Sequence, residues 1–133
     1  MYRREFFKKL ALLVTTLPLG LYAKRKEKRS WVKLTTLNVA GLQYGDLAQH
    51  TFSPNEELRA VREPDNPYDR YAVALYKENR RVGYIPRTNS RIIASLLDSE
   101  HNLHVRVSNF EGEREVWDRL WVSIWLRDDR TFS

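Results

Sequence analysis

The sequence predicts a mainly β protein, a small barrel or sandwich with one or two short helices, set behind an N-terminal signal or anchor segment. Three observations predict it. From Trp31 onward, short runs rich in Val, Leu, Ile, Tyr and Trp are separated by turn residues, as in compact all-β units. The last run alternates with period two: Leu120, Val122, Ile124 and Leu126 share one face, and Trp121, Ser123 and Trp125 share the other. Ahead of Trp31 lies an uncharged apolar stretch between two basic clusters.

Residues 1–30 read as a targeting unit and basic linker. Arg3-Arg4-Glu5-Phe6-Phe7-Lys8-Lys9 precedes the 14 residues from Leu10 to Ala23, and Lys24-Arg25-Lys26-Glu27-Lys28-Arg29 follows. As a helix, the apolar stretch reaches about 21 Å, short of the roughly 30 Å of a bilayer's hydrocarbon core, so a signal-peptide core suits it better than a stable span. An uncleaved anchor over residues 10–23 is a second outcome, because Leu21-Tyr22-Ala23 supplies only part of a cleavage site, and an amphipathic or core helix of a cytoplasmic protein is a third. Arg3, Arg4, Phe6, Phe7 and Lys8 resemble the twin-arginine export motif, with Tyr2 departing from the usual Ser or Thr.

The domain is expected over 31–126, with 127–133 as a C-terminal tail. Strands are predicted near 31–40, 56–62, 71–77, 81–85, 102–109 and 116–126. Glu78-Asn79-Arg80-Arg81 makes a tight polar connection, so 71–85 reads as a hairpin. A helix is expected from about Thr88 to Asp98, capped by Thr88, Asn89 or Ser90 and burying Ile92, Ile93, Leu96 and Leu97. Trp31, Trp117, Trp121 and Trp125 read as core or sheet-covering aromatics, and Gly41 and Gly83 as backbone necessities.

The net charge of +6 invites a nucleic-acid or membrane reading until it is located. Residues 1–29 hold nine Lys/Arg against two Glu, a local +7. Residues 30–133 hold fourteen basic and fifteen acidic residues, a net −1. The folded part therefore offers no broad basic face, and a nucleic-acid site there must be local and shaped. With no cysteine there is neither a disulfide framework nor a catalytic thiol. His50, His101 and His104 have no usable metal-ligand spacing, so no metal and no cofactor is expected. The sequence lacks a nucleophile elbow, a Gly-rich phosphate loop and an acidic cluster for Mg²⁺. Glu111, Glu113 and Glu115 alternate as a solvated face would, and a non-enzymatic role is expected.

The most informative stretch is Glu63-Pro64-Asp65-Asn66-Pro67-Tyr68-Asp69. Each Pro fixes its own φ and biases its predecessor away from helix, which makes a stiff polar loop with Tyr68 and Asp69 at its exit. A tyrosine beside a fixed carboxylate can stack on a terminal base while the carboxylate accepts a sugar hydroxyl. Asp69 equally suits an Asx-type bond to its own loop, and Tyr44 and Tyr68 equally suit half-buried packing.

Three stretches in order, Asn38-Val39-Ala40-Gly41-Leu42-Gln43-Tyr44, Val61 through Val73, and Val82-Gly83-Tyr84-Ile85-Pro86-Arg87, resemble the HIRAN domain. The resemblance implies an OB-like barrel that binds nucleic acid and, in its best understood form, captures the 3′ end of single-stranded DNA. It carries Tyr44, Tyr68 and Asp69 over as contacts and Arg87 as a phosphate cation. Phe110 lies near the place of a second stacking aromatic. Gln43 stands where an end-binding relative has arginine, and Tyr84 where it has histidine.

The leading expectation is a non-catalytic module for single-stranded nucleic acid with preference for a free 3′ end. The alternative is an exported envelope module that uses the same groove for a peptide, glycan or protein partner. Export itself is testable. Fused to a reporter that is active only after folded export, residues 1–30 should give signal that disappears with Arg3→Lys plus Arg4→Lys. Cytoplasmic retention of the unmutated fusion would reject it.

Overall fold

The computed structural model describes residues 30–128, and the expected signal or anchor segment and the end of the expected tail lie outside them. Within that range Trp31–Arg127 forms one compact unit. Six strands, β1 (Ser30–Asn38), β2 (Glu57–Arg62), β3 (Val73–Lys77), β4 (Arg80–Tyr84), β5 (Leu103–Phe110) and β6 (Leu120–Asp128), make one sheet in the order β1-β6-β5-β2-β3-β4. Helix α1 (Arg87–Asp98) connects β4 to β5, and single 3-10 turns occupy Leu42–Tyr44 and Val116–Asp118.

The sheet curls until its two end strands meet. Just past β1, Ala40 and Tyr84 exchange both backbone bonds, at 2.9 and 2.8 Å, which ties the exit of β1 to the end of β4. The approach is so close that a Cβ on Gly83 would lie 2.5 Å from Val39 Cγ1 and 2.6 Å from the Ala40 carbonyl oxygen. Only glycine fits there. The closed sheet encloses Val39, Leu42, Val73, Leu75, Val82, Val105, Val107, Leu120, Val122 and Ile124, all essentially without solvent contact. This is the mainly β, OB-like barrel the sequence predicts.

The 71–85 hairpin is present, with Lys77 opposite Arg80 and Glu78 at a positive φ of 56° in the two-residue connection. β6 alternates as its sequence does, and its outward face is also covered: Ser123 is buried and accepts a bond from Trp125 Nε1 at 2.9 Å. The final strand begins at Leu120 rather than 116. β5 ends at Phe110, opposite Leu120, so 116–118 have no strand to pair with and coil into a 3-10 turn. Glu111, Glu113 and Glu115 line that solvated connection.

Helix α1 departs from expectation at its start and in its phase. It begins at Arg87 behind Pro86, with no side-chain cap. Its inward stripe is Ser90, Ile93, Ala94 and Leu97, while Ile92 is 66% exposed. Ser90 takes the inward place because its hydroxyl is spent on Asp69, as described below, and the helix is rotated accordingly.

Candidate functional site

Two proline-stiffened turns of backbone carry Tyr68 outward. Asn66 organises them: its Oδ1 accepts the backbone N–H of Tyr68 at 2.9 Å and of Asp69 at 3.2 Å, and its Nδ2 donates to Glu63 Oε1 at 3.0 Å. The loop base is closed by backbone bonds from Glu63 to Ala72 and from Ala72 to Asp69. Arg62 braces it from below, donating to the Ala72 carbonyl and pairing with Asp98 on α1 at 2.9 Å. The ring of Tyr68 is left 83% exposed on this frame.

Asp69 ties the loop to the helix. Its Oδ1 accepts the Tyr71 N–H at 2.9 Å, the Asx-type bond, and its Oδ2 accepts the Ser90 hydroxyl at 2.7 Å. The Ser90 bond, acting against the cost of partial burial and helped by the Tyr71 N–H and the charges of Arg87 and Arg62, holds the carboxyl below its ordinary value. Each oxygen keeps a further lone pair for a ligand.

Tyr84 anchors the same loop from the barrel. Its hydroxyl donates to Glu63 Oε1 at 2.9 Å, while its backbone makes the closing bridge to Ala40. Burial, with the bond to Glu63 and its negative charge, pushes the hydroxyl pKa up, so it remains a donor at neutral pH. In this structure Tyr84 positions the loop.

The structure brings Tyr68, Asp69 and Arg87 together around a groove of about 470 Å³, whose wall also includes Arg70, Tyr71 and Arg91. Gln43, Tyr44, Tyr84 and Phe110 do not line it. Gln43 and Tyr44 are exposed on the first 3-10 turn, which Gly41 enters with a φ of 69°. Beside that turn Arg81 donates to the Tyr44 carbonyl at 2.8 Å, supplying a cation where Gln43 has none. Phe110 packs against the core, edge-on to Phe52 at 5.6 Å.

The second 3-10 turn lies beside the first and presents Trp117, 60% exposed, on the same stretch of surface as Tyr44. The sequence predicts Trp117 as a core or sheet-covering aromatic, and it is neither. No local pattern separates it from Trp121 and Trp125, which the sheet half-covers. Among the described residues no three His, Asp or Glu side chains gather as metal donors, and no helix is long and apolar enough to cross a membrane.

The family model for the HIRAN domain matches residues 32–127. The chain belongs to the HIRAN domain family. HIRAN domains are nucleic-acid-binding modules, and this one has their fold. A crystal structure of a protein from Lactobacillus plantarum superposes with a TM-score of 0.66 at 24% identity, covering 76% of this chain and 99% of that one. The crystal structure of the HIRAN domain of human HLTF superposes with a TM-score of 0.61 at 20% identity, covering 75% and 81%. A search of curated proteins finds no match.

The Asp69 frame gives a pH test. A carboxyl held below its ordinary value stabilises the fold above the ordinary aspartate range, and that contribution is lost as pH falls through the lowered value. Asp69→Asn should therefore melt below wild type at neutral pH, and the two melting temperatures should converge well below the ordinary value of 3.8. A difference that stays constant from neutral to acid pH would show that the ionised carboxylate does not hold the loop.

Proposed function

We propose that the chain is an exported or membrane-anchored HIRAN module that binds single-stranded DNA non-catalytically by its free 3′ end, in the groove between the Asn66–Asp69 loop and α1. The observation that carries this reading is Tyr68, whose ring is 83% exposed while its backbone is held by the bonds of the Tyr68 and Asp69 N–H groups to Asn66. A ring that the core does not need, carried at a groove mouth on an ordered backbone, is a stacking platform for a base.

Asp69 beside it gives the platform an end preference. Its spare lone pairs accept a sugar 3′-OH, while a 3′-phosphate would meet a carboxylate held ionised by Ser90 and Tyr71. Arg87 stands across the groove as a cation for the backbone phosphate. Membership in a nucleic-acid-binding family supports the ligand class, and the N-terminal twin-arginine resemblance supports the compartment.

The test is a comparison of labelled oligonucleotides with free and phosphorylated 3′ ends, bound to the full chain. The basic run 24–29 attracts both and favours the phosphorylated strand for its added charge, so tighter binding of the free end reads the groove. The free end should bind more tightly. Tyr68→Ala should weaken it roughly ten- to a hundredfold, the worth of about 1–3 kcal/mol of stacking. Asp69→Asn should erase the discrimination between ends. Equal affinity of the wild-type chain for both ends would contradict the proposal.

A further inference from the structure

We infer that the groove seats two successive phosphates of the bound strand: Arg87 holds the one next to the end, and Arg91, supported by Tyr71 and Arg70, holds the next one in. The inference rests on the strand-end reading and extends it to Arg91, outside the three matched stretches, and to Arg70 and Tyr71 within the second of them.

Arg87 and Arg91 stand four positions apart on α1, so their side chains share a face about one turn, roughly 6 Å, apart. That is comparable with the separation of neighbouring phosphates on an extended strand. Like charges at this spacing disfavour a helix. Yet among the described residues no carboxylate pairs with either, or with Arg70, whereas Arg62 is matched by Asp98 and Arg114 by Glu111. Three unpaired guanidiniums around one groove leave a local positive site in a domain of net charge −1.

The second seat is also built. Tyr71 is partly buried against the core, which makes its ring a fixed support. The Arg91 guanidinium lies 5.4 Å from that ring's centroid, and the Arg70 guanidinium lies 5.0 Å from it while donating to the Tyr71 hydroxyl at 3.1 Å. A guanidinium steadied by an aromatic ring keeps its N–H donors in its own plane, free for the paired oxygens of a phosphate. Of the two helix arginines, Arg87 is the one tied to Asp69 through Ser90, whose hydroxyl lies 2.7 Å from the Asp69 carboxylate and 3.2 Å from the Arg87 carbonyl oxygen, which places Arg87 nearer the strand end.

The test uses the full chain and two single-stranded oligothymidylates with free 3′ ends. One is unmodified, and one carries a neutral methylphosphonate at the second linkage from the 3′ end. Wild type should bind the neutralised strand about fivefold more weakly. Arg91→Ala should bind the unmodified strand about fivefold more weakly, with its melting temperature unchanged, and should lose nothing further on the neutralised strand. Its salt dependence should fall by about 0.7 in slope, one phosphate's worth on a single strand. If Arg91→Ala binds as wild type does, or suffers the full penalty again on the neutralised strand, the second seat is wrong. The strand-end reading then stands as long as wild type still binds the free 3′ end more tightly than the phosphorylated one. Failure of wild type to bind the unmodified strand would overturn both.

Discussion

The closure of the sheet at Ala40 and Tyr84 is the constraint on which the rest of the structure depends. It is possible because Gly83 has no side chain at the point where Val39 and the Ala40 carbonyl pass. Closure alone would make a barrel. Tyr84 adds the functional consequence, because the residue whose backbone completes the sheet also sends its hydroxyl to Glu63 and so anchors the loop that presents Tyr68. Barrel integrity and loop geometry are coupled through one side chain.

That coupling bears on how a small domain of net charge −1 would engage a polyanion. Binding as proposed needs no long electrostatic track. The loop is ordered before any ligand arrives, by the Asn66 bonds, the Arg62 brace and the Asp69 link to Ser90, so little conformational entropy is left to lose on association. The charge is concentrated where the ligand needs it, in arginines that the fold leaves unpaired along one groove. In the proposed reading, an exposed aromatic, a fixed carboxylate and a short cationic face suit the end of a strand better than its length.

Much of the fold was legible in the sequence because its signals are local. Alternation marked β6, polar turn residues marked the 71–85 hairpin, and the paired prolines marked the rigid loop. The helix was found but misphased, because its inward face is set partly by a polar contact: Ser90 turns in to reach Asp69, 21 positions earlier, and Ile92 turns out. The site was half legible. Tyr68, Asp69 and Arg87 meet in one groove as the motif implies, with Arg70 and Tyr71 following them in the same loop, while Arg91 joins them only through the packing of the loop on α1. Tyr84, which stands where an end-binding relative has histidine, donates its hydroxyl to Glu63, an anchoring bond that its place in the sequence does not announce. Exposure of Trp117 follows from the end of β5, a tertiary fact that its neighbours in sequence do not encode.

The central claim is that an end, and not a stretch, of single-stranded DNA is what the groove recognises. Competition between a linear single strand and a covalently closed circle of the same sequence and length tests it most directly, since the two differ only in having an end. The linear strand should displace a labelled 3′-free oligonucleotide from the full chain at least about tenfold more effectively, the equivalent of roughly 1.4 kcal/mol. Equal displacement by the circle would contradict the account.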